Sequence, residues 1–108
     1  MKRYASHFLF LPEYGYLRRQ VVETEEGTIV RIFPLTEEVE NTEWLPGVIL
    51  LLPAADADMP EFGRQQSLLE AMPPEVEEKL SSFTPVILFP FDFTTMRPVA
   101  GTQRRPLR

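Results

Sequence analysis

Trp44-Leu45-Pro46-Gly47-Val48-Ile49-Leu50-Leu51-Leu52 is the stretch from which the fold can be read. After Gly47 the residues are aliphatic without interruption until Pro53. A strand with one wet face alternates apolar and polar side chains, so this unbroken run predicts a strand buried on both faces.

Working toward the N-terminus, the next runs also have strand character. Thr28-Ile29-Val30-Arg31-Ile32-Phe33 stops at Pro34, and residues 16–24 carry Tyr16, Leu17, Val21 and Val22. Between them lies Glu25-Glu26-Gly27, which reads as the turn of a hairpin. Residues 3–11 form a further strand, with Tyr4, Ser6, Phe8 and Phe10 on one face and Ala5, His7, Leu9 and Leu11 on the other. Pro12-Glu13-Tyr14-Gly15 supplies the turn after it, with Gly15 free to take a positive φ.

Toward the C-terminus the pattern changes. Residues 35–43 are acidic and weakly structured, and residues 53–83 carry seven carboxylates against two cations. Leu68, Leu69 and Met72 predict one short helix beginning after residue 64. Pro73-Pro74 ends it, and Pro74 opens a second helix on which Val76, Leu80 and Phe83 form a stripe. Residues 86–93 return to strand character, with Pro90 marking an edge, a bend or a bulge. The arginine-rich tail, 97–108, is expected to finish in a short extended segment. The resulting expectation is a single domain over 1–108, mainly β with a short helical insert, α+β by content. Its small β-sandwich is built from strands in 3–52 and 84–108, with 53–83 as the acidic helical insert.

Composition narrows the chemistry. The 108 residues hold no cysteine and one histidine, which removes disulfides, thiolate metal sites, cysteine nucleophiles and multi-imidazole metal centres. A net charge of −5 argues against a nucleic-acid-binding surface. No apolar stretch approaches the roughly 20 residues needed to cross a bilayer, and no signal peptide is evident. A soluble cytoplasmic protein is expected, with no nucleic acid or membrane among its partners and no cofactor.

Four local signatures occur in order: Arg3-Tyr4-Ala5-Ser6-His7-Phe8-Leu9-Phe10, the Val21–Ile32 hairpin, Trp44-Leu45-Pro46-Gly47-Val48-Ile49, and Val86-Ile87-Leu88-Phe89-Pro90-Phe91-Asp92-Phe93. Met96-Arg97-Pro98 and Arg104-Arg105-Pro106-Leu107 follow the last of them. The series resembles the two ends of metal-dependent hydrolases of the amidohydrolase superfamily. The resemblance covers residues 3–52 and 84–108. It implies that the terminal segments pair into the small β-sandwich called the composite domain, which in that family flanks a metal-bearing (β/α)₈ barrel.

It also implies what is missing. The family's first His-x-His metal pair would fall at about Leu52 and Ala54, and neither side chain can coordinate a metal. A barrel needs roughly 250 residues, whereas only Pro53 to Phe83 occupy that place. No catalytic residue carries over. The expected function is therefore a non-catalytic, remnant-like scaffold acting in protein–protein binding or assembly, with a protein partner or a second copy as its ligand. The alternative is a small-molecule or peptide binding module that uses an aromatic-lined cleft or an exposed strand edge.

Asp56 and Asp58 pair carboxylates that could hold a hard cation or exchange protons, but no Asp-x-Asp-x-Asp-Gly pattern surrounds them, and a solvated acidic linker is the better reading. His7, on the Ala5/Leu9/Leu11 face, reads as a hydrogen-bonded structural histidine. Ser6, Ser67, Ser81 and Ser82 lack a nucleophile-elbow context. Arg18-Arg19 and Arg104, Arg105 and Arg108 form basic clusters that could meet an anion or an acidic partner. The favoured reading has them neutralise the acidic segments 37–43 and 70–78 within the chain. The alternating phenylalanines at 8, 10, 89, 91 and 93 belong mostly to the core, at roughly 1.5–3 kcal/mol each when buried. Any apolar sandwich face left over needs a cover, from the helices of 64–83 or from a second subunit.

Overall fold

Three of the strand runs do not stay in one sheet. The computed structural model describes residues 1–37, 39–54, 56–60, 62 and 67–107. In it residues 3–11 split into β1 (Lys2–Ala5) and β2 (Phe8–Leu11), and residues 16–24 into β3 (Gly15–Arg18) and β4 (Gln20–Glu25). The Trp44–Leu52 stretch splits likewise, into β6 (Thr42–Trp44) and β7 (Val48–Leu52). The remaining strands are β5 (Thr28–Pro34), β8 (Thr84–Asp92) and β9 (Arg97–Pro106).

One sheet has the order β5-β4-β1-β6 and the other β3-β2-β7-β8-β9. Each split run therefore starts in one sheet and ends in the other, which is how orthogonally packed sheets make their corners. The crossing points are Ser6-His7, Arg19 and Leu45-Pro46-Gly47. Arg19 takes φ 47° and Gly47 takes φ 102° to make the bends. Main-chain bonds hold the three crossings together: Arg19 N–H donates to His7 O (2.9 Å) and Leu45 N–H to Ala5 O (2.8 Å). Ser6, buried at the bend, donates its hydroxyl to Phe8 O (2.7 Å).

The expected hairpin turn is present. Glu26 and Gly27, at φ 53° and 83°, form a two-residue loop with both central residues left-handed, matching the twist of β4 and β5. β7 is buried on both faces, as its unbroken apolar run predicts. Ile49 and Leu51 join Leu9, Leu11, Leu17 and Ile87 against Tyr4, Val22, Ile29 and Ile32 of the four-stranded sheet. Val48, Leu50 and Leu52 point the other way, into a second cluster with Phe10, Tyr16, Val86, Leu88 and Phe91. That outer cluster is covered by Phe8, Ala57, Phe62 and Met96. The architecture is thus mainly β, two sheets with one short helical passage.

The insert is less helical than its apolar spacing predicts. Leu68 and Leu69 are extended beside β3, where Tyr16 N–H donates to Ser67 O (2.8 Å) and Leu69 N–H to Tyr16 O (2.6 Å). The open edge of β3 offers unpaired main-chain groups, and pairing them outweighs a marginal short helix. The part of that expected helix at residues 64–66 lies outside the described residues. The second helix is a single turn, α1 (Pro74–Glu77), with Pro74 at its first position, followed by a 3-10 turn at Leu80–Ser82. Val76 and Leu80 are buried by it and Phe83 packs against the core. β9 is ten residues long, not a short extended tail. Pro90 sits where the β8–β9 register shifts, so the bulge reading holds.

Gly47 tests the corner. A Cβ there would lie 2.1 Å from the carbonyl oxygen of Leu88, on a backbone conformation that favours glycine. Gly47→Ala is expected to lower unfolding free energy by at least about 2 kcal/mol in urea titration. Gly101→Ala, where a Cβ meets nothing within 4 Å, should change it by less than about 0.5 kcal/mol.

Candidate functional site

The positions that the family resemblance assigns to metal ligands hold no ligand. Leu52 is 1% exposed within the outer apolar cluster, and Ala54 is exposed just after β7. Asp56 and Asp58 are both exposed, consistent with a solvated segment. Among the described residues no group of three or more His, Asp or Glu side chains could hold a metal ion. The serines serve the backbone or face solvent: Ser82 donates to Lys79 O (2.6 Å), while Ser67 and Ser81 are exposed.

His7 is not on a buried strand face. The bend at Ser6-His7 ends the alternation after Ala5 and turns the imidazole outward, where it is exposed. Its ring lies edge-on to Trp44 (4.9 Å between centroids) and to Phe93 (5.8 Å). Phe93 in turn contacts Phe8 and Phe91, so an aromatic series runs from the outer core to the surface. The turn that carries Phe93 is fixed by Asp92, whose carboxylate accepts from Thr94 N–H (2.8 Å) and from the Thr95 hydroxyl (2.9 Å). The Thr95 hydroxyl and the two turn amides hold the Asp92 carboxyl below its ordinary pKa. Tyr16 steadies the same turn by donating to Met96 O (3.3 Å), and burial pushes its phenol up to about 12.

The strand register places Phe89 at this same end of the five-stranded sheet. β2 and β7 begin here, at paired Phe8 and Val48, and Val48 pairs with Leu88 next to Phe89 on β8. Phe89 is 51% exposed, Trp44 43% and Phe93 39%. Beside Phe89 a pocket of about 150 Å³ is lined by Leu45, Pro46, Ile87, Phe89, Gln103 and Arg105. Cross-strand pairing explains the lining, since Ile87 sits opposite Arg105 and Phe89 opposite Gln103. Sequence reasoning did not single out this pocket. The available signal was Pro90, which interrupts the Phe89–Phe91–Phe93 alternation and leaves Phe89 outside the core.

Among the described residues the arginines make no side-chain ion pair with the acidic segments 37–43 and 70–78. Among the described residues the ion pairs converge on Glu23, which receives Arg3 Nε at 2.7 Å and Arg31 at 3.4 Å. Arg3 also donates to Glu40 O (3.1 Å), a main-chain contact with the acidic 37–43 segment. Arg104 is half-buried and donates to Ala57 O. Arg18, Arg19, Arg97 and Arg105 are exposed and make no ion pair among the described residues. Arg108 lies outside the described residues. The corrected picture has one buried carboxylate satisfied by two cations, and a C-terminal strand whose charge is left for solvent or a partner.

Comparison of the chain with protein-family models, curated proteins and solved structures returns no match. Among the described residues no helix is long and apolar enough to cross a membrane.

The hydrogen bond from Arg3 holds the Glu23 carboxyl below its ordinary pKa, with both guanidiniums adding attraction against the opposing effect of burial. A lowered folded value means that this contribution is complete above the ordinary glutamate range and is lost as pH falls through the folded pKa. Glu23→Gln should therefore destabilise the domain by about 1–2 kcal/mol at neutral pH. In paired urea titrations the difference from wild type should shrink toward zero on acidification through that folded value.

Proposed function

We infer that this chain is a non-catalytic binding domain that works by holding another polypeptide. It is a scaffold resembling the composite domain of the amidohydrolase superfamily without the barrel. The observation that carries this reading is the exposure of Trp44, Phe89 and Phe93 toward one end of the five-stranded sheet, Trp44 and Phe93 against the His7 ring and Phe89 beside the Leu45–Arg105 pocket. Exposed aromatic rings dominate binding energy at many protein interfaces, because they bury large area at little entropic cost. The side chains at Leu52 and Ala54, where the family places metal ligands, support the loss of hydrolysis.

The pocket beside Phe89, about 150 Å³, is smaller than the roughly 300–1,000 Å³ of typical small-molecule sites, so at this surface the peptide form of the binding reading is favoured. Trp44 is the sole tryptophan and reports on this surface directly. Occupation by a polypeptide should shift its emission to shorter wavelength and protect it from acrylamide. The purified domain should show no turnover on amide, ester or phosphoester substrates with or without added zinc. Metal-dependent turnover that survives repurification would overturn the reading.

A further inference from the structure

β9 is the last strand of its sheet, and among the described residues nothing pairs with its outer side. Leu107 N–H donates to Pro85 O (2.9 Å), so the residues in phase with Leu107, namely Arg105 and Gln103, turn their main-chain groups toward β8. Arg104, in the opposite phase, presents its groups to the open edge, and Thr102 follows where the β8–β9 register breaks, its hydroxyl donating to Pro90 O. Pro106 also falls in the outward phase, where a missing N–H costs no ladder bond.

The chemistry of this edge is one-sided. β9 carries Arg97, Arg104 and Arg105 and no carboxylate, in a chain whose net charge is −5. Arg97 and Arg105 make no ion pair among the described residues. A second copy of β9 would bring only more arginine to the same ladder, and like charges on paired strands repel. An incoming strand would lie roughly 4.8 Å from β9. Its side chains on the Gln103/Arg105 face then border the Leu45–Phe89 pocket, whose volume of about 150 Å³ suits a single apolar side chain.

We propose that β9 accepts an extended acidic segment of a partner protein as an added strand, with one apolar side chain in the Leu45–Phe89 pocket and carboxylates beside Arg97 and Arg105. This rests on the binding-domain reading and specifies its partner. Main-chain bonds at Arg104 and at the Pro106 carbonyl supply affinity, the pocket and the arginines supply selection.

The probe is a synthetic peptide of about eight residues, alternating glutamate with valine and carrying one central phenylalanine. It is compared with a version in which lysine replaces glutamate, and with one N-methylated at alternate main-chain amides. The acidic peptide should bind, shift the amide resonance of Arg104, and weaken with added salt. The Arg97→Glu/Arg105→Glu double variant should bind it about tenfold less tightly or worse while melting within a few degrees of wild type. Binding should disappear with one of the two N-methylation phases. No binding, equal binding of the lysine peptide, indifference to N-methylation in both phases, or resonance shifts elsewhere would each overturn the β9 assignment. Those failures leave the absence of turnover intact, whereas turnover in the substrate assay overturns the binding-domain reading itself.

Discussion

The rest of the molecule depends on the main-chain bonds at the corner where three strand runs cross between sheets. Arg19 N–H to His7 O and Leu45 N–H to Ala5 O tie the crossings together, so the two sheets share continuous chain. Without that corner, β1 and β2 would continue as one strand, and Tyr4 and Leu9 could not face each other across a common core. The bends also restrict side-chain choice. Gly47 lies against the Leu88 carbonyl, which leaves no volume for a Cβ, and Arg19 is held in a left-handed conformation by main-chain bonds from its N–H to His7 O and from Leu35 N–H to its carbonyl. Strain there is small compared with the apolar area that the two sheets bury between them.

Much of this was legible wherever burial and periodicity agree. The aliphatic run from Val48 to Leu52 identifies a strand with two dry faces, and both faces are filled. Glu25-Glu26-Gly27 marks the hairpin because a two-residue loop needs φ values that glycine tolerates best. The corner was not legible, because strand alternation carries no mark for a change of sheet. His7 illustrates the cost: its place in the alternation assigns it to the core, and a bend of one or two residues puts it on the surface. Leu68-Leu69-Met72 shows a different limit. Three apolar residues fit a helix turn as well as an extended segment, and the choice was made by the unpaired edge of β3 far away in sequence. The arginines failed for a third reason. Opposite charge predicts attraction but not reach, and Glu23 alone gathers the described ion pairs.

The outer face of the five-stranded sheet bears on what the domain can do. Val48, Leu50, Leu52, Val86 and Leu88 would make a large apolar patch if bare, and such patches on isolated domains drive association. Ala57, Phe62 and Met96 pack over them, so the chain covers this face itself, and not with the helices that apolar spacing suggests. Of the exposed aromatic rings, Trp44, Phe89 and Phe93 lie toward the end where β2 and β7 begin, with the β9 edge beside it, and Tyr14 lies beyond the other end of β2. An isolated sandwich that had merely lost a neighbour would show its apolar surface on a face. Here the face is closed, and Phe89 stands beside an open strand whose Arg97 and Arg105 make no ion pair among the described residues. Apolar anchors ringed by charge discriminate between partners, because an uncharged or basic strand would gain the pocket but leave the arginines without counter-charge. An apolar pocket and exposed arginines beside the open edge of β9 are what the proposed strand addition requires for selection over general stickiness.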